Sequence, residues 1–136
     1  MKKYPPKILI AWAEAIGGNK KIREWLTKNG YKELALFVFA LNNKDSARDW
    51  LMKNGFPHLM ALINGVEGNK TAIQWLEKFN YSMLAQVARA GDGDKNAYQF
   101  LLKNNEKELA LIAGKIQYVK DGIERDNNNI HKISPD

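Results

Sequence analysis

Large side chains recur every 25 residues along this 136-residue chain, and no other feature constrains its fold as tightly. Trp25, Trp50, Trp75 and Phe100 form one column, and Leu26, Leu51, Leu76 and Leu101 form the next. Lys28, Lys53, Lys78 and Lys103 form a third. Two more columns, Leu9-Leu34-Leu59-Leu84-Leu109 and Trp12-Phe37-Leu62-Val87-Ile112, carry the spacing back into the N-terminal segment. A fixed period of this length marks a tandem array of supersecondary units that bury their apolar faces on one another. The repeats run 19–43, 44–68, 69–93 and 94–118, and residues 7–18 match only the second half of a unit.

Each unit reads as two short helices. In the third copy Ala72, Trp75 and Leu76 stand three and four residues apart, on one helical face, and Leu84, Ala85, Val87 and Ala88 repeat the pattern. Asn19, Asn69 and Asp94 stand where an N-cap oxygen would accept from the first free amides. The first helix stops at Gly30, Gly55, Asn80 or Asn105, residues that tolerate the left-handed C′ conformation, and Pro57 suits the first position of the helix that follows. The aromatic after the stop (Tyr31, Phe56, Tyr81) is expected to pack back on the Leu at C3. Trp25, Trp50 and Trp75, beside Leu on the apolar face, are expected in the core. The last helix is expected to reach about Arg125. The predicted fold is all-α: an α-solenoid of four tandem 25-residue two-helix repeats, with an N-terminal half copy and a C-terminal capping helix. One domain spans 1–126, and 127–136 form a polar tail.

The layout of helix, Asn-Gly-aromatic turn, Leu-rich helix and Ala-Gly exit, seen from Trp75 to Ala97, resembles the helical part of an ankyrin repeat and of α-solenoid proteins generally. The units are shorter than the roughly 33 residues of ankyrin and lack its T-P-L-H turn and hairpin. What the resemblance implies is a stack of helix pairs whose surface binds another protein.

The chain holds no cysteine, which removes disulfides, thiolate metal sites and a cysteine nucleophile, and fits a cytoplasmic protein. Glu14 interrupts the only apolar stretch near the N-terminus, against a signal peptide, and no apolar run is long enough for a membrane helix. Asp92-Gly93-Asp94-Lys95-Asn96 opens like a calcium loop, but Ala97 and Lys103 occupy the positions that need glycine and glutamate. His58 and His131 are the only histidines. No acid–base or nucleophile set follows, so neither catalysis nor a metal or cofactor is expected.

Two binding surfaces are expected instead. The fifth and ninth unit positions, one turn apart, place Met52, Ile73, Tyr98 and Leu102 on a face that should meet water. Such a patch marks a contact with another protein or a second copy, unless the C-terminal helix folds back over it. The net charge of +6 lies wholly in residues 1–32. There Lys20, Lys21, Arg23, Lys28 and Lys32 form a candidate patch for nucleic acid or another polyanion. Lysines in the last turn of a helix also complement the macrodipole.

Overall fold

The computed structural model describes the backbone of residues 4–133 and the side chains of residues 4–125. Among these there are nine α-helices and no strand. They are α1 (Pro6–Ile16), α2 (Lys20–Lys28), α3 (Lys32–Leu41), α4 (Asp45–Lys53), α5 (Pro57–Val66), α6 (Lys70–Lys78), α7 (Ser82–Gly91), α8 (Lys95–Lys103) and α9 (Lys107–Ile133). From α2 to α8 no helix exceeds ten residues, too short to persist alone in water, so each depends on its neighbours.

The chain reverses at residues with positive φ. At the ends of the even-numbered helices these are Gly30, Gly55, Asn80 and Asn105. Each places the next amide five residues back: the N–H of Tyr31, Phe56, Tyr81 and Glu106 donates to the carbonyl of Leu26, Leu51, Leu76 and Leu101 at 2.7–2.9 Å. This is the Schellman closure. Gly18, Asn43, Gly68 and Gly93 do the same after α1, α3, α5 and α7. The Asn19 and Asn69 side chains accept from Ile22 N and Ala72 N, and Asp94 accepts from Asn96 N and Ala97 N. Lys44 holds the matching place before α4, which has no side-chain cap.

At the fifth occurrence of the stop column stands Tyr118, a side chain for which positive φ is costly. With no glycine or asparagine to turn the chain, α9 runs on to Ile133. The expected tail over 127–136 is therefore helical through 133; residues 134–136 lie outside the described residues.

The odd-numbered helices form the interior. Trp12, Phe37, Leu62, Val87 and Ile112 are all buried, as are Ile16, Leu41, Val66 and Ile116. Successive odd helices pack side by side, and α1 packs against α9, so the first and last helices meet. The even helices pack against their sequence neighbours and contribute Leu26, Leu51, Leu76 and Leu101, each 0% exposed. Spacing between the inner helices follows their side chains. Trp12 meets Phe37 edge-on at 5.0 Å between α1 and α3, whereas Gly65 faces Ala88 between α5 and α7, and Gly91 faces Ile116 between α7 and α9.

The tryptophan column is the main correction. Trp25 is 47% exposed, Phe100 is also exposed, and Trp50 and Trp75 are only half-buried. Adjacent residues on a helix point about 100° apart, so Trp and the following Leu cannot both face the interior. Leucine takes the buried place. The tryptophan, at C4, turns to the helix end and stacks on the aromatic at C″. Trp25 stacks on Tyr31, Trp50 on Phe56 and Trp75 on Tyr81, at 5.9–6.4 Å with planes 8–15° apart.

Candidate functional site

The fifth unit position does not form an outward column. Arg23 reaches over the Phe39 ring at 4.5 Å. Arg48 donates from Nε to the Ala40 carbonyl at 3.0 Å and pairs with Glu67 at 3.1 Å, tying α4 to the ends of α3 and α5. Ile73 packs beside Gly65. These side chains fill seams between neighbouring helices. Met52 (56% exposed), Tyr98 and Leu102 are exposed, but the candidate patch is dispersed. Met52 lines a groove of ≈ 300 Å³ between α4, α5 and α6, with Met60, Ala72 and Trp75. Ile73 lines a charged groove with Glu77, Arg89, Asp92 and Asp94, where Arg89 pairs with Glu77 at 2.7 Å. Tyr98 lines a third groove, shared with Gly114 and Gln117 of α9. The last helix thus borders Tyr98 without covering it.

Farther along α9, Lys120, Ile123 and Glu124 line another groove with Leu41, Asn43, Val66 and Glu67, at the C-terminal ends of α3 and α5, and Lys120 pairs with Asp92.

The basic N-terminal set is divided as well. Lys20 and Lys21 open α2, and Lys28 closes it, eight residues on; at 1.5 Å per residue the two groups stand roughly 12 Å apart along the axis. Lys28 and Lys32 belong instead to the edge where every even helix ends and the following odd helix begins. Lys53, Lys78, Lys103 and Lys107 share that edge, against Glu33, Glu106 and Glu108. Glu33 is buried there, accepting a hydrogen bond from the Tyr4 hydroxyl at 2.6 Å.

Along the same edge the aromatic pairs join across units. Trp50, Phe56, His58, Tyr81, Trp75 and Phe79 form an unbroken series of ring contacts, none longer than 6.0 Å between centroids. Tyr4, Tyr31 and Trp25 form a second series, and the Lys32 ammonium lies 5.2 Å over Trp50 between the two. The 25-residue columns carried the signal for this series; what hid it was the assignment of the tryptophans to the core.

His58 is the buried polar member. Its ring stacks on Tyr81 at 5.0 Å, and its Nε2 has no hydrogen-bond partner among the described residues. Burial disfavours the imidazolium and lowers its pKa below the usual 6.5, with the Glu33 carboxylate opposing. The unfolded chain therefore binds a proton more readily than the folded one. Stability is full above the unfolded value near 6.5 and falls as pH drops through the window below it. A plot of Tm from about pH 7 to pH 5 should fall for the native protein, and the His58→Phe variant should lose much of that fall. Equal slopes in the two proteins would show that His58 is not the titrating group.

Among the described residues no three His, Asp or Glu side chains converge as a metal site would require, and no helix is long and apolar enough to cross a membrane. Fold and surface define an all-helical protein whose accessible features are grooves and an aromatic, lysine-rich edge. Compared with protein-family models, curated proteins and solved structures, the chain matches none.

Proposed function

We propose that this chain is a non-catalytic binding scaffold, an α-solenoid of 25-residue two-helix units whose surface receives another protein. The regular recurrence of helix starts supports the solenoid: 20, 45, 70 and 95 for the even helices, 32, 57, 82 and 107 for the odd. The observation that carries the binding role is the groove of Met52, Met60, Ala72 and Trp75. Its floor is apolar and its rim holds the most exposed methionine side chain of the array, a flexible and polarisable group suited to meeting an apolar side chain of a partner. Among the described residues Met52 stays 56% exposed at that surface.

A photo-crosslinking residue placed at Met52, with a control at Glu124 in a different groove, tests this in the native host. A discrete protein adduct from position 52 alone is expected, and Met52→Glu should abolish the interaction. Because Met52 is exposed, that substitution should change stability by less than about 0.5 kcal/mol. Identical adducts from both positions, or none from either, would reject the groove as the binding surface.

A further inference from the structure

The lysine-aromatic edge offers a second surface, which meets the groove at Trp75. Trp25, Trp50, Trp75 and Phe100 stand three residues before Lys28, Lys53, Lys78 and Lys103, so ring and ammonium share a helical face in every unit. All four lysines are exposed, and none forms an ion pair with a described residue. Complementing the macrodipole explains one lysine at each helix end, but it does not explain an exposed indole beside it. Trp25 and Phe79 expose large ring surface to water, which is unfavourable unless something covers it. The same edge holds the starts of α3, α5 and α7, whose first-turn amides have no side-chain cap.

We infer that this edge binds single-stranded nucleic acid, with bases against the aromatic rings and phosphates beside the lysine column. The occupant must be anionic, and it must present a flat apolar group and a negative charge in alternation, because the protein presents ring and ammonium in alternation. A nucleotide chain has that repeat built in; an acidic peptide supplies charge without an obligatory flat partner. A flexible strand can also adjust its phosphate spacing to successive units, whereas a duplex hides its base faces within the stack. Platforms of aromatic rings beside a cationic track are the general means of holding single strands without reading their sequence.

The test is fluorescence anisotropy with a labelled oligothymidylate of about 20 nucleotides, long enough to meet several stacking platforms at once. Each lysine that neutralises one phosphate of a single strand contributes about 0.7 to the log–log salt slope, so four give a slope near −3. Replacing Lys28, Lys53, Lys78 and Lys103 together by Gln should flatten it by about 2 to 3. Trp25→Leu, which keeps an apolar side chain at an exposed position, should weaken binding about tenfold with the slope unchanged. Circular dichroism would verify that both variants remain folded. Three results would overturn the inference: no binding at micromolar protein in low salt, an affinity indifferent to the lysine replacements, or a polyglutamate peptide that displaces the strand while Trp25→Leu has no effect. The last would make the edge a surface for acidic peptides.

Discussion

Trp12→Ala is expected to destabilise the protein by about 3–5 kcal/mol, while Trp25→Ala, at the same residue type, should cost only about 1 kcal/mol. The difference lies in where each ring sits. Trp12 is 2% exposed, in van der Waals contact with Phe37, on a helix that packs against both α3 and α9. Its removal opens a cavity between α1 and α3, and the helices cannot close on it without moving apart elsewhere. Trp25 loses one stacked face on Tyr31, and water already reaches the rest. One detail sharpens the comparison. The Trp12 indole N–H is buried with no acceptor among the described residues, and an unsatisfied buried donor costs about 1–3 kcal/mol. Trp12→Phe removes that donor as well as some volume, so it should lose far less than Trp12→Ala. Urea unfolding gives all three values, with a shifted midpoint at constant m as the sign of a change in stability alone. Equal losses for Trp12→Ala and Trp25→Ala would overturn the assignment of inner and outer faces.

How far the fold could be read from sequence depends on whether its determinants are local. The turns were legible because their chemistry is local: Gly30, Gly55, Asn80 and Asn105 are the residues that tolerate positive φ, and each has it. Asn19, Asn69 and Asp94 cap as their side chains allow. The inward columns headed by Trp12 and Leu26 were legible from spacing. The fate of Trp25 was not. Trp and Leu are neighbours in sequence about 100° apart on the wheel, and only the rotation of each outer helix about its axis decides which one goes in. That rotation is set by α3, α5 and α7, beyond the reach of any local signal. The fifth-position column failed for a related reason: a face that looks exposed on one helix lies in the seam with its neighbours, where Arg48 bonds Ala40 and Glu67. The contact of α1 with α9 has no mark in either helix. The dispersal of Met52, Ile73 and Tyr98 among three grooves depends likewise on how distant helices pack.

The close approach of α5 and α7 gives a prediction that depends on this relation between units. A Cβ added at Gly65 would lie 2.9 Å from the Ala88 Cβ and 3.1 Å from the Ile73 Cγ1. Ala88 has no rotamer to change, since its Cβ is fixed to the backbone of α7. Gly65→Ala therefore forces α5 and α7 apart, at a cost of about 1–3 kcal/mol, although alanine is the better helix former by about 1 kcal/mol. Ala88→Gly alone should also destabilise, by about 1 kcal/mol, through lost propensity and a lost methyl contact. Combined, the two changes move the methyl group from one side of the contact to the other and leave its volume nearly constant. The double variant should be more stable than Gly65→Ala, so that a substitution harmful in the native background becomes favourable in the variant. A coupling energy of about 1 kcal/mol or more is expected from the four denaturation curves. Additive losses would show that the strain at Gly65 falls on Ile73, whose side chain can swing, and that the spacing of α5 and α7 is set elsewhere.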